Sequence, residues 1–352
     1  MSRRPVRLNL GLDRFSGLYL AALFIIVFGI WTPNLFLTQS TLHSVAAEQA
    51  ITAMMGVALL IPLATGAYDL SVGATINMSA ILAAQVQSQN HWGIAPAILL
   101  ALGVSLLIGV VNGLIVVVFK VNSFIATLGM ATVIAACQAI VTGSNQPLPP
   151  QSTAWSNLTQ QPLAGFQIVF LYMLVLAAIV WWVMTHTPAG RYMYAVGGNS
   201  EAARLSGINV GKWTWLSLIA SAFICGIAGV FYSSLNGPSL TFGSGLLLPA
   251  FAAAFLGSTQ LVPGRFNVWG TLIAVYVLAI GVKGIQLVST VQWANDMFNG
   301  VALIVAVAFA VWRQQRKGRA DASTADRQPA RPDDPQPESV SSEPTFSGSP
   351  SS

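Results

Sequence analysis

Between Phe15 and Trp312 the chain runs 298 residues with ten formally charged side chains: Glu48, Asp69, Lys120, Arg191, Glu201, Arg204, Lys212, Arg265, Lys283 and Asp296. The 70 residues from Val121 to Gly190 contain no Asp, Glu, Lys or Arg. About a quarter of an ordinary soluble domain is charged; here the figure for the whole chain is 8%, against 54% apolar. A surface so poor in charge is tolerated by lipid and not by water. The chain therefore reads as an all-α polytopic membrane protein, and its few charges carry most of the information.

At about 20 residues per crossing, the apolar section holds about ten spans. Punctuation by Pro, Gly, Asn and charge places them near 17–33, 45–65, 70–88, 94–119, 122–143, 166–185, 213–235, 246–260, 267–287 and 297–312. The second and third are separated only by Thr65-Gly-Ala-Tyr-Asp69, and the eighth is short. Broken or re-entrant helices of this kind recur around transport paths. Residues 1–16 read as a cytoplasmic N-terminal segment, 17–312 as the transmembrane domain, 186–212 as its main cytoplasmic loop and 313–352, rich in Pro, Ser and charge, as a disordered cytoplasmic tail. No small-residue cleavage site follows the first apolar segment, which reads as an uncleaved helix.

Basic residues set the orientation. With Arg3, Arg4, Arg7 and Arg14 inside, an alternating count also puts Lys120, the 186–212 loop, Arg265 and the run from Arg313 to Arg319 inside. Lys283 is the exception, at an outer end from which it could snorkel. The formal charge of +5 thus follows span topology and does not indicate nucleic-acid binding.

Several chemistries are absent from the pattern. There is no G-x-x-x-x-G-K-[ST] phosphate loop, nucleophile elbow, pair of carboxylates or cofactor fingerprint. His43, His91 and His186 stand apart from one another, and Cys137 and Cys225 read as small core residues. Nothing points to catalysis or a metal in this chain.

Two segments stand out. In the loop Thr187–Asn209, Asn199 suits an N-cap, Glu201 falls in the first turn where the helix dipole favours an acid, and Gly207 suits the left-handed position past a C-terminus. A two-turn helix follows, with Ala202 and Ala203 as a small-residue face for a partner, or an ordinary well-capped connection. Asp69 also has two readings. A carboxylate in a Gly-flanked break is costly unless paired, hydrated or functional, which suggests a polar element at the path or gate. Equally, Asp69 or Ser71 caps the third span. Asn77, Gln85, Asn112, Ser123, Thr127, Gln138 and Ser221 supply hydroxyls and amides within spans, either for a polar solute or as glue between helices. Gly109 with Gly113, and Gly226 with Gly229, favour close helix packing. Trp181, Trp182, Trp213 and Trp215 bracket the 186–212 loop as interfacial anchors.

Gly197-Gly-Asn-Ser-Glu-Ala-Ala-Arg-Leu-Ser-Gly-Ile208 resembles the cytoplasmic loop of ribose-type ABC transporter permeases, the membrane subunits of bacterial monosaccharide importers. Gly66-Ala-Tyr-Asp-Leu-Ser-Val-Gly-Ala74, Gly109-Val-Val-Asn-Gly-Leu114, Asn122-Ser-Phe-Ile-Ala-Thr-Leu-Gly-Met130 and Thr187-x-x-Gly-Arg191 match further segments in the same order, over residues 45–312. The stretch Gly245–Gly264 departs from the usual pattern by lacking an acidic residue, which marks a distinct branch.

The resemblance implies a permease in the bacterial inner membrane with both termini cytoplasmic, paired with a second copy or a paralogue. An extracytoplasmic sugar-binding protein would supply the solute, and ATP-Mg would be bound by a separate cytoplasmic ATPase, with no cofactor in this chain. Gly198, Asn199, Glu201, Ala202, Ala203, Arg204 and Gly207 would form the ATPase-coupling loop. Asp69, Ser71, Asn77, Asn112, Ser123 and Thr127 are the candidates for path or gate. The competing readings are an ion-driven secondary transporter, which would need more intramembrane acids than this chain has, and an ABC permease for another small solute such as a branched-chain amino acid.

Overall fold

The computed structural model describes residues 16–163, 165–262, 264–288, 291 and 293–308. The expected N-terminal segment, apart from the first residue of α1, and the expected tail 313–352 lie outside the described residues. Helices account for nearly everything described: α1 (Ser16–Trp31), α2 (Pro33–Phe36), α3 (Gln39–Ala64), α4 (Val72–Ser88), α5 (Ile94–Gly113), α6 (Ser123–Thr142), α7 (Thr153–Gln160), α8 (Ile168–His186), α9 (Pro188–Gly198), α10 (Ser200–Leu205), α11 (Val210–Asn236), α12 (Phe242–Gly245), α13 (Leu247–Ser258), α14 (Val268–Val288) and α15 (Trp293–Ala308). A hairpin of two-residue strands, Pro162–Leu163 with Phe166–Gln167, is the one departure from all-α among the described residues.

Six helices are long and apolar enough to cross a bilayer: α3, α5 with its π-helical extension Leu114–Val118, α6, α8, α11 and α14. Gly17–Trp31, Phe242–Ser258 and Trp293–Ala308 are shorter apolar helices. All ten expected segments thus have helical counterparts, although ten full crossings do not follow from length alone.

The centre of the bundle is α3, α4 and α11, flanked by α5, α8, α13 and α14. Every residue of α4 from Val72 to Gln85 is buried, despite the polar side chains Thr75, Asn77, Ser79 and Gln85. Those groups are bonded to neighbours: Ser79 Oγ donates to Gly226 O at 2.7 Å and Asn77 Nδ2 to Leu240 O at 2.9 Å, while Gln138 Nε2 of α6 donates to the α4 carbonyl of Ala74 at 2.8 Å. The outer helices show the opposite pattern. Leu99 of α5 is 70% exposed and Ile140 of α6 is 80% exposed, as suits a face turned to an apolar surrounding.

Small residues let the central helices meet at backbone distance. A Cβ on Gly229 of α11 would lie 2.3 Å from Ile76 O of α4, and one on Gly109 of α5 would lie 2.8 Å from Ile219 Cα of α11. The expectation of close packing at these glycines is met. Trp215 is different from its expected anchoring role: its ring covers Gly113 and its Nε1 donates to Val110 O at 3.1 Å, so it fastens α11 to α5.

Three other differences have simple causes. The second span starts at Gln39, six residues before the expected boundary, because Thr38 accepts the Thr41 N–H and caps the polar first turn. Part of the expected loop 144–165 is helical: Trp155 of α7 is buried, and Thr159 Oγ1 pairs with Ser234 Oγ of α11 at 2.8 Å. Lys283 does not act alone: its Nζ lies 3.3 Å from Glu48 Oε2, joining α14 to α3.

Gly229→Val is expected to overpack the α4–α11 contact and cost about 1–3 kcal/mol, seen as a lowered thermal midpoint of the detergent-solubilised protein. Leu99→Ala on the outer face should change stability by less than about 0.5 kcal/mol.

Candidate functional site

α3 ends at Ala64 and α4 begins at Val72, and between them the backbone is non-helical within the apolar bundle. Gly66, at φ +80°, makes the reversal. The buried polar groups freed by such a break need partners within the protein.

The partners come from α5, α6 and α11. Tyr68 N–H donates to Ser123 Oγ at 3.0 Å and Leu70 N–H to Thr127 Oγ1 at 2.9 Å, so the first two turns of α6 receive two amides of the break. Asp69 is 1% exposed and accepts three hydrogen bonds. Ser71 N–H and Ser71 Oγ–H reach its Oδ1 at 3.0 and 2.6 Å, and Ser221 Oγ of α11 reaches its Oδ2 at 3.0 Å. Asn112 Nδ2 of α5 donates to Ser71 Oγ at 2.8 Å, closing a network across four helices. Asn112 Oδ1 is buried without a partner among the described residues. On a second edge of the break, Thr65 Oγ1 lies 3.3 Å from Ser217 Oγ of α11.

Neither Asp69 nor Ser71 caps α4 through its side chain. Ser71 holds the N-cap position, yet its hydroxyl is turned to Asp69 and Asn112. Asp69 forms no ion pair among the described residues. Its compensation is three donors together with the N-terminal end of α4.

Of the six path or gate candidates, Asp69, Ser71, Asn112, Ser123 and Thr127 meet at this break. Asn77 does not. It lies further along α4, where its Nδ2 donates to Leu240 O at 2.9 Å and its Oδ1 accepts Gly243 N–H at 2.7 Å, holding the segment ahead of α12. Ser217, Ser221 and Thr65 belong to the break; only Ser221 stands out in the sequence, as a polar residue inside an apolar helix.

The 186–212 loop folds as two helices. α9 was unexpected: Met193 and Val196 bury its inner face, and Tyr194 Oη donates to Phe266 O while the Arg265 guanidinium lies 3.5 Å from the Tyr194 ring centroid. Burial raises the Tyr194 phenol above its usual range, against the opposing effect of Arg265. α10 is capped as its residues suggest. Asn199 Oδ1 accepts Ala202 N–H at 3.0 Å, Gly207 takes φ +81°, and Ile208 N–H and Gly207 N–H return to Ala203 O and Arg204 O. Glu201 and Arg204 pair on the exposed side.

The expected small-residue face needs correction. Ala203 is buried at 4% exposure inside the chain's own fold, whereas Ala202 is exposed. Adjacent helical positions lie about 100° apart, and here one of the two turns into the fold and the other out of it. The exposed apolar side chain on α10 is Leu205, 80% accessible. Gly198 is exposed, with open space where a Cβ would stand.

The loop touches the break directly. A Cβ on Gly197 would lie 2.2 Å from Ala64 O and 3.2 Å from Gly66 N. The end of α9 therefore rests on the last carbonyl of α3, with no side chain between them. The break, α9, Arg265 and the start of α6 gather at one end of the bundle. Among the described residues, no group of three or more His, Cys, Asp or Glu is placed to hold a metal ion.

Residues 41–307 match the family model described as branched-chain amino acid transport system / permease component. The chain is 31% identical over 286 residues to the ribose import permease protein of Escherichia coli K12, covering 78% of this chain and 87% of the relative. It is 29% identical over 303 residues to the fructose import permease protein of Rhizobium meliloti, covering 84% of each. It is 24% identical over 310 residues to the D-allose transport system permease protein of Escherichia coli K12, covering 87% and 94%. No solved structure matches the chain.

Thr127→Val keeps the shape of the α6 side chain and removes the acceptor of the Leu70 N–H. An unpartnered buried amide costs about 1–3 kcal/mol, so the variant should unfold at lower temperature and expose the 65–71 segment to proteases. Unchanged midpoint and protease resistance would show that the break does not depend on this bond.

Proposed function

The chain belongs to the branched-chain amino acid transport system / permease component family, and on that premise we propose that it is the membrane-spanning subunit of a bacterial ABC importer for a monosaccharide or related polyol. Members of this family are transport subunits and not enzymes themselves. The relatives named for ribose, fructose and allose import support the sugar class. In this reading two copies, or one copy and a paralogue, enclose the path in the inner membrane. A binding protein delivers the solute from outside, and a separate ATPase binds ATP-Mg on the cytoplasmic side. The end of the bundle that carries α9, α10 and Arg265 is the cytoplasmic end, in keeping with its basic residues.

The observation that carries the proposal is the contact of Gly197 with Ala64 O. α10 is the handle for the ATPase, with Gly198, Asn199 and Gly207 setting its shape and Glu201, Ala202, Arg204 and Leu205 on its outer side. Motion of the handle passes through α9 to the end of α3 and so to the break at Asp69. Asp69, Ser71, Asn112, Ser123 and Thr127 then act as a gate element whose hydrogen bonds exchange as the helices rock, the physical content of alternating access. Asn77 serves the same path at one remove, by holding the segment ahead of α12.

Uptake in proteoliposomes tests the reading. The full assembly with ATP and binding protein should accumulate a monosaccharide, and the chain alone under a proton or sodium gradient should not. Gradient-driven uptake by the chain alone would overturn the ABC reading. Leu205→Arg should lower co-purification of the ATPase about tenfold, as for an exposed anchor residue, with membrane insertion intact. Ala203→Trp tests something else: it would push α10 off its own fold. Normal ATPase recruitment by Leu205→Arg would reject α10 as the handle.

A further inference from the structure

Away from the break, α3, α13, α14 and α15 surround a cavity of about 200 Å³. Its polar lining is Gln49 and Thr52 of α3, Gln286 of α14, and Asn295 and Asn299 of α15. Gln49 and Gln286 are close in sequence to Glu48 and Lys283, whose pair joins α3 to α14. The rest of the wall is largely apolar, from residues such as Leu246, Pro249, Val275 and Leu278.

These polar groups differ from those of the break. Thr52 is 4% exposed, and the Asn295 Oδ1 is buried without a hydrogen bond among the described residues. No protein hydrogen bond is formed by the side chains of Gln49, Thr52, Gln286 or Asn299 among the described residues either. Elsewhere inside the bundle Asn77, Ser79, Gln138, Ser217 and Ser221 all have protein partners. Gln286 is exposed and Gln49 and Asn299 are half-buried, so their amides reach solvent as well as the cavity, while Asn295 Oδ1 is a buried acceptor without a protein partner among the described residues; together with Thr52 they offer a polar ligand both donors and acceptors on one space.

The chemistry narrows that ligand. Amides and a hydroxyl each donate or accept, and none of the lining residues carries a charge. A zwitterionic amino acid would find no opposite charge there for either its ammonium or its carboxylate, which makes burying it costly. A neutral polyhydroxylated solute matches on every side, with its C–H surface against the apolar wall. No aromatic ring lines the cavity, so the hold is weak, as a step along a path requires.

We propose that this amide-lined cavity is the solute-contact site of the translocation path, and that it takes a neutral monosaccharide or polyol. The proposal rests on the importer reading above. It moves solute contact away from Asp69 and its partners, which act at the gate.

The test uses the complete importer in proteoliposomes, with labelled neutral pentoses, hexoses and polyols as separate probes and leucine as the zwitterionic comparison. Gln49→Leu and Asn299→Leu keep bulk and remove the amides. Each should lower uptake of the transported sugar about tenfold, the worth of a neutral hydrogen bond of about 1.4 kcal/mol, with Gln49→Asn partly restoring it. Should the Leu variants fail to assemble, Asn299→Cys in a Cys137→Ser, Cys225→Ala background gives a second measurement. Maleimide labelling of that thiol should slow severalfold in the presence of the transported sugar. Unchanged uptake by assembled Leu variants, or labelling indifferent to the sugar, overturns the site and leaves the importer reading standing. A wild-type importer that moves leucine and none of the neutral probes overturns both.

Discussion

A non-helical turn at the end of an apolar bundle leaves buried polar groups that must find partners within the protein, and the surrounding helices are arranged around that need. The break from Thr65 to Ser71 draws its partners from three separate helices: Asn112 of α5, Ser123 and Thr127 of α6, and Ser221 of α11. Asp69 adds a carboxylate, which is held by three neutral donors and the start of α4 without a cation among the described residues. Such a group is costly to bury and more costly to strand. None of the four helices can shift far without taking the network along or exchanging its bonds.

Much of this was legible because polar residues are rare in the chain. Against an apolar background, Asp69, Ser71, Asn112, Ser123 and Thr127 each mark themselves, and the structure collects them at one place. The caps of α10 were legible for another reason: N-caps and left-handed C-terminal glycines are local, and local geometry is written in adjacent residues. What hydropathy does not carry is the partner. Asn77 is chemically similar to Asn112, yet it holds the segment before α12. Trp215 looks like an interfacial anchor and instead covers Gly113. Residues 188–198 appeared as loop because their glycines and polar side chains mask an apolar face of Met193 and Val196.

The amides at Gln49, Gln286, Asn295 and Asn299 were missed for a related reason. Each lies near the end of an apolar run, where a polar residue is expected to meet water. Only the convergence of three helices turns four unremarkable positions into one lining. The two polar sets then differ in a way that composition cannot express: the side chains of Asp69, Ser71, Ser123, Thr127 and Ser221 at the break all have protein partners, whereas those of the cavity lining have none among the described residues. Bonded polar groups hold helices in register; unbonded ones are available to something that passes.

Rigidity links the loop to the break in the proposed importer. A long flexible connection would absorb a push at α10. Here α10 follows α9 after the single residue Asn199, and α9 is braced by Tyr194 against Phe266 and by Gly197 against Ala64 O. Backbone in contact with backbone has little compliance, since no side chain can rotate to relieve it. In the proposed importer a displacement at α10 would be passed to the end of α3, next to the glycine that turns the chain toward Asp69. Discrete hydrogen-bond partners make the response there a switch between arrangements and not a gradual bend.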